Sequence, residues 1–327
     1  MYTKTEIRDV EEICYDKKHV KEVLLEIKKN FNDYFKRFIE TCAGTNISAE
    51  KFEELQRKFG ISTTEHLLNS KLSENYKIII REAIADFEKD REDYQKIFCR
   101  ELLEDYDEDA DTFKSKILKN ECPIIRKTLA NRRAKELDKY RANFGREDAD
   151  NLLEVVTRLC AFGEEYQKNY NPESYENITE YSDLKLELLD TEDYTVFGVI
   201  GGGIKTHMLY KVYPAVFSNR SRSALWALWY LSGKKAFGCK MDSEFLMIDK
   251  DKEIFQQNYF YPYELFSYYA FEIYSLLKEK AAEYKVSIDT DYRYVVVDAF
   301  FEYVAMEHDS AISFFKSQIR DGGIGIA

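Results

Sequence analysis

The sequence predicts a mainly α-helical protein, a helical N-terminal domain followed by a mostly α C-terminal domain with a small β-sheet. Three observations carry this. Only 13 Gly and 4 Pro interrupt 327 residues, so few positions break a helix. Apolar residues return every three or four positions through the first 170 residues, the spacing of one buried helical face. Hydrophobic residues make up 45% and charged residues 33%, a balance that closes a core and excludes a collagen-like or broadly disordered chain.

In chain order, Val20, Val23, Leu24, Ile27, Phe31, Phe35, Phe38 and Ile39 share one face of a first helix. The same spacing predicts helices near 49–57, 74–103, 111–120, 124–144 and 147–168. Burying these faces against each other gives a helical bundle over 1–170. Asn171, Pro172 and the polar run to Asp183 break the pattern, since proline removes a donor and the polar side chains solvate the backbone. A linker is therefore expected over 171–183. Beyond it, 184–189 and 245–248 are expected as short strands, and 205–213, 221–231, 263–284, 292–307 and 310–320 as helices of a second domain over 184–320. The glycine-rich end, 321–327, is expected to be a flexible tail.

No stretch approaches the ~18 to 20 consecutive apolar residues of a membrane helix, and residues 1–10 carry charge without an apolar core of a signal peptide. A cytoplasmic protein with no membrane partner is expected. Cys14, Cys42, Cys99, Cys122, Cys160 and Cys239 stand singly, without a paired Cys or a nearby His at ligand spacing. They are expected as reduced, mostly buried thiols, with no structural metal and no cofactor.

The formal net charge of −12 argues against a polyanionic partner only if charge is evenly spread. It is not. Residues 201–240 hold Lys205, Lys211, Arg220, Arg222, Lys234, Lys235 and Lys240 and no Asp or Glu. Between Lys114 and Arg146, eleven cations (Lys114, Lys116, Lys119, Arg126, Lys127, Arg132, Arg133, Lys135, Lys139, Arg141, Arg146) face only Glu121, Glu136 and Asp138, a surplus of eight. This second segment comes directly after an acidic run over 101–111. It either pairs with that run on a neighbouring helix or adds phosphate contacts to those of the first.

Gly201, Gly202 and Gly203 precede a predicted helix that opens with Ile204, Lys205, Thr206 and His207. Consecutive glycines allow positive φ and a close approach of backbone N–H groups to a ligand, and a helix N-terminus favours an anion. A phosphate held by the glycine N–H groups, with Lys205 as charge partner and Thr206 as donor, is the chemistry this spacing suits. Ile200, Gly201, Gly203, Lys205 and Thr206 resemble the helix-hairpin-helix element, in which a Gly-apolar-Gly turn and a Lys-Thr pair hold a DNA backbone phosphate. Gly202 stands where that element has an aliphatic residue, and His207 where it has a small one. Tyr213, Pro214 and 217–222 are loosely similar to the residues C-terminal to this element in the DNA-glycosylase superfamily, without that superfamily's catalytic Lys and Asp. The resemblance covers 15 to 35 residues and implies DNA as partner. Gly198 and Gly203 also resemble the paired glycines of a P-loop, but Ile204 displaces Lys205 by one residue. Val295, Val296, Val297 and Asp298 mimic a Walker B strand, although 292–307 has equal helical character.

The remaining candidates are weaker. Residues 221–231 are apolar on every side, so Trp226 and Trp229 are expected to anchor a core helix. Asp242 and Glu244, with Lys240, are candidate catalytic residues of a Mg²⁺-dependent nuclease or nucleotide-binding enzyme. His207 is a candidate general base or ligand, and His308 a lesser one. The ten aromatic residues within 255–274 offer either a core or a surface for a protein partner, as an inhibitor or a subunit of a larger assembly. The function expected from all this is nucleic-acid binding, with DNA held by phosphate contacts from Gly201, Gly202, Gly203, Lys205, Thr206, Lys211, Arg220, Arg222, Lys234 and Lys235.

Overall fold

The structure, a computed structural model, describes residues 14–41, 61–234, 246–249, 254–257 and 261–318. The chain is mainly α. The long amphipathic helices form as their spacing dictates: α1 (Lys17–Thr41) buries Val20, Val23, Ile27, Phe31, Phe35, Phe38 and Ile39 in one stripe. Next come α2 (Ile61–Glu88), α3 (Arg91–Ile97), α4 (Arg100–Asp105) and the short α5 (Ala110–Thr112), which leads into a π-helix at Phe113–Glu121. Pro123 opens α6 (Pro123–Ala130), where its missing N–H costs nothing. α7 (Asp138–Arg146), α8 (Ala149–Lys168) and α9 (Pro172–Glu176) complete the first half. The second half holds α10 (Gly202–Val212), α11 (Arg222–Leu231), the strands β1 (Leu246–Asp249) and β2 (Ile254–Gln257), then α12 (Tyr263–Glu283), α13 (Arg293–Glu307) and α14 (Asp309–Gln318).

Two stretches that read as single helices are broken. The expected helix over 74–103 is divided into α2, α3 and α4. That over 124–144 stops at Ala130 and restarts at Asp138. Arg141 satisfies the carbonyls opened by this second break, donating to the oxygens of Asn131 at 2.8 Å and Ala134 at 3.2 Å. The break leaves Asn131, Arg132, Arg133 and Lys135 in water. The helix expected over 49–57 and the tail at 321–327 lie outside the described residues.

The small sheet is the main correction to the predicted class. Residues 184–189 are not a strand. Leu184, Leu186 and Leu189 are buried by two 3₁₀ turns, Tyr181–Leu184 and Glu187–Asp190, joined through Lys185 in the left-handed region at φ 54. Leu188 is exposed and Leu189 buried, so burial does not alternate as a pleat requires. Among the described residues, extended pairing is limited to the antiparallel β1–β2 hairpin, Leu246 opposite Gln257 through Asp249 opposite Ile254, and one bridge between Val196 and Ile200.

The expected linker is likewise packed structure. Asn171 caps α9 by accepting from the Ser174 N–H at 2.9 Å. Tyr175 is buried, its hydroxyl 2.6 Å from that of Tyr294, and Glu176 accepts from fully buried Arg293 at 2.6 Å. Across this segment, α1 packs on α11, α12 and α13, and α2 packs on α13. One hydrophobic cluster runs from Val20 to Ile312, so 171–183 does not separate two cores. At its centre α13 buries Val295, Val296, Val297, Phe300, Phe301 and Val304. The sequence that mimics a Walker B strand is therefore the middle of a core helix. Each such side chain contributes roughly 1.5–3 kcal/mol when fully buried.

Candidate functional site

The glycine run is built for space rather than for unusual dihedral angles. Gly198 alone among the turn's glycines has positive φ, at 77. It closes a tight turn in which Ile200 N–H donates to Val196 O at 2.8 Å and Val196 N–H to Ile200 O at 3.1 Å. Gly201, in extended conformation, caps α10. Gly202 is bare because a β-carbon there would overlap the Arg220 guanidinium. Arg220 is 5% exposed; its Nη1 donates to the Tyr261 carbonyl and lies 3.5 Å from Asp190.

Three of the five described cations of the acid-free segment, Lys205, Lys211 and Arg220, are buried, which corrects their expected role at a phosphate-binding surface. Lys205 is 2% exposed and donates to Thr195 Oγ1 at 2.8 Å; burial lowers its pKa to about 8. Thr206 bonds back to the Gly202 carbonyl at 2.7 Å. Lys211 is buried between Asp90 at 2.6 Å and the Phe87 carbonyl at 2.7 Å, over the Phe87 ring. The physical reason is the helix itself. α10 is enclosed on nearly every side, and long stems carry the charges to partners supplied by distant elements. Lys234 is exposed at the far end of α11, over Tyr230. Lys235, Asp242 and Glu244 lie outside the described residues.

A half-open cavity of about 210 Å³ lies at the start of α10. Gly203, Ile204 and His207 form one wall and 219–222 a second. The third wall comes from the first half of the chain, with Ile124 and Thr128 from α6 and Leu137 beyond the break. Among the described residues no carboxylate lines it. Ser221 caps α11 by accepting from the Ala224 N–H at 3.1 Å, which sets Arg222 half-buried at the cavity edge.

Behind the cavity runs a polar chain that the sequence does not signal. His207 Nδ1 lies 3.3 Å from Asn219 Oδ1, and Asn219 Nδ2 donates to both carboxylate oxygens of Asp298 at 3.1 and 3.2 Å. Tyr210 also bonds to Asp298, and burial with the nearby Glu302 pushes the Asp298 carboxyl up to about 7. Burial, then Lys211, holds the His207 imidazole down at about 4, so it is neutral at physiological pH. His308 is structural, stacked on Tyr230 at 3.6 Å and bonded to the Tyr34 hydroxyl at 2.8 Å. Asn219 and Asp298 are 79 positions apart, and only the fold joins them.

The cations between Lys114 and Arg146 face water instead. Lys116, Lys119, Arg126, Lys127, Arg132, Arg133, Lys135, Lys139 and Arg146 are exposed. Lys127 pairs with Asp90 at 2.9 Å and Arg141 with Asp138 at 2.5 Å. No ion pair among the described residues joins this segment to the acidic run over 101–111. Arg132, Arg133 and Lys135 lie on the connection between the cavity residues Thr128 and Leu137. Phe197, 67% exposed, stands at the tip of the turn whose Gly198 rests against Asn143 of α7.

From Tyr261 onward the aromatic run is core. Tyr261, Tyr263, Phe266, Tyr268, Tyr269, Phe271 and Tyr274 are all buried, so these side chains offer no surface to a protein partner. Trp226 and Trp229, at 5% and 4% exposure, pack edge to face in the same interior. Among the described residues no cluster of three or more His, Cys, Asp or Glu could hold a metal ion, and no helix is long and apolar enough to cross a membrane. Cys14, Cys99, Cys122 and Cys160 are free thiols. Comparison with protein families, curated proteins and solved structures gives no match to this chain.

Proposed function

We propose that the protein binds nucleic acid through its phosphate backbone, at the cavity and along the exposed cations beside it. One observation carries this. Two acid-poor segments some sixty residues apart in sequence converge on a single half-open cavity lined by His207, Arg220 and Arg222 and, among the described residues, by no carboxylate. The outer part of the site is the connection bearing Arg132, Arg133 and Lys135, continued by Lys139 and Arg146 on α7. This array suits a chain of phosphates better than one small anion. Exposed Phe197, held over the same helix, adds a face on which a base can stack. Backbone contacts of this kind fix register without reading sequence.

The test is binding of a labelled oligonucleotide at ~50 and ~200 mM salt. Six engaged cations (Arg132, Arg133, Lys135, Lys139, Arg146 and Arg222) give a slope of log K against log[salt] of about −4 for a single strand and about −5 for a duplex. Binding that is absent at low salt, or insensitive to salt, refutes the proposal.

A further inference from the structure

The hydrogen-bond chain behind the cavity fixes what His207 offers to a ligand. Asp298 accepts from Tyr210 and from the amide nitrogen of Asn219. That turns Asn219 Oδ1 toward His207, so the proton of the neutral imidazole sits on Nδ1 and is donated to Asn219. Nε2 is left as a bare acceptor. No hydrogen bond from the described residues reaches it, His207 is half-buried, and the ring is a wall of the cavity.

A bare imidazole nitrogen is a poor neighbour for an ionised phosphodiester, which brings no donor. It suits a ligand that presents a hydroxyl within reach of its phosphate, with Ser221 and Arg222 on the facing wall. Of the two nucleic-acid sugars only ribose does so. Resting on the backbone-binding function above, we infer that His207 is a specificity-determining residue that accepts a hydrogen bond from a ribose 2′-hydroxyl, so that the cavity selects RNA over DNA. This reading differs from the DNA partner implied by the helix-hairpin-helix resemblance, whose Lys205 is 2% exposed and is not presented to a duplex.

The experiment measures binding of one single-stranded sequence in three forms, as RNA, DNA and 2′-O-methyl RNA, at pH 8, where Asp298 is ionised. The protein is wild type, His207→Phe or His207→Gln. RNA is expected to bind about fivefold more tightly than DNA, the effect of one net hydrogen bond. The 2′-O-methyl strand, which has lost the donor, falls to the DNA level. His207→Phe loses the preference, and His207→Gln, which keeps an acceptor, retains part of it. The methylated strand leaves the protein untouched, so its result stands even if His207→Phe fails to fold. Equal binding of RNA and DNA, or a preference that survives both methylation and His207→Phe, overturns the role of His207 while leaving backbone binding in place. Absence of binding by all three strands overturns backbone binding itself.

Discussion

Replacing Asp298 by Asn tests the buried chain that sets the state of His207. The Asp298 carboxyl is pushed from 3.8 up to about 7 by burial and by Glu302. The native protein therefore keeps this proton to a higher pH than the unfolded chain does. Its contribution to stability is complete below the unfolded value and is lost as pH rises toward 7, since the slope of stability with pH is negative wherever the native state binds more protons. Over the whole interval the loss is about 4 kcal/mol, at about 1.4 kcal/mol per pH unit. Between pH 5 and 8, part of it having already gone, about 2.5 kcal/mol remains. Asn keeps an acceptor for Tyr210 and Asn219 and has no proton to lose. Urea unfolding of both proteins at pH 5, 6, 7 and 8 should show Asp298→Asn gaining about 2.5 kcal/mol relative to wild type across the range. Parallel stability curves would mean that Asp298 is ionised throughout and that its surroundings do not disfavour the charge.

Gly202→Ala should destabilise the protein by about 2–4 kcal/mol in the same assay, because the new methyl group displaces Arg220 and strands a charge that is 5% exposed. Gly145→Ala, where nothing lies within 4 Å, is its control and should change little. Combined Arg132→Gln, Arg133→Gln and Lys135→Gln substitutions should leave stability within about 0.5 kcal/mol, since all three side chains are exposed. They should reduce the magnitude of the salt slope for a single-stranded oligonucleotide by about 2; an unchanged slope would exclude them from the interface. Burial pushes the Cys122 and Cys160 thiols up to about 12, so mass spectrometry after brief alkylation at pH 8 should find both unmodified in the native protein.

The helices were legible where the apolar pattern is unambiguous, along one face or all round. The stripe from Val20 to Ile39 and the all-apolar run from Ala224 to Leu231 are buried as their patterns require. Boundaries failed where tertiary contacts decide them. Nothing local forbids a helix through Asn131 to Lys135; the break is stabilised by Arg141, whose role requires α7 to be in place. The strand expected over 184–189 failed because a left-handed residue between two 3₁₀ turns buries Leu184, Leu186 and Leu189 and leaves Leu188 exposed, a spacing that a pleat does not give. Glu264 supports this arrangement by accepting the Leu186 N–H at 3.1 Å. At the site, His207, Arg220 and Arg222 were legible as residues, but Asn219, Asp298 and the wall from α6 were not. No local spacing connects them.

The acid-free stretch shows how one sequence signal admits two physical causes. A surface meant for phosphates excludes carboxylates because they repel the ligand. An enclosed helix excludes them because each would need a buried partner, whereas Lys and Arg can lay their stems along the core and carry the charge to a distant acid. Residues 204–212 and 224–232 obey the second cause, apart from His207 at the cavity: Lys205 and Lys211 are buried in α10, and Lys211 is paired with Asp90. Their charge is compensated or desolvated, so it adds little to the field at the cavity mouth. That field comes from the segment whose cations remain in water, Arg126 to Arg146, although it carries scattered acids and is the less conspicuous in sequence. The cavity takes its shape and its polar contacts from α10 and 219–222 and its long-range attraction from α6 and α7. Substitutions in the first group should therefore change selectivity between ligands, and those in the second chiefly affinity and its dependence on salt.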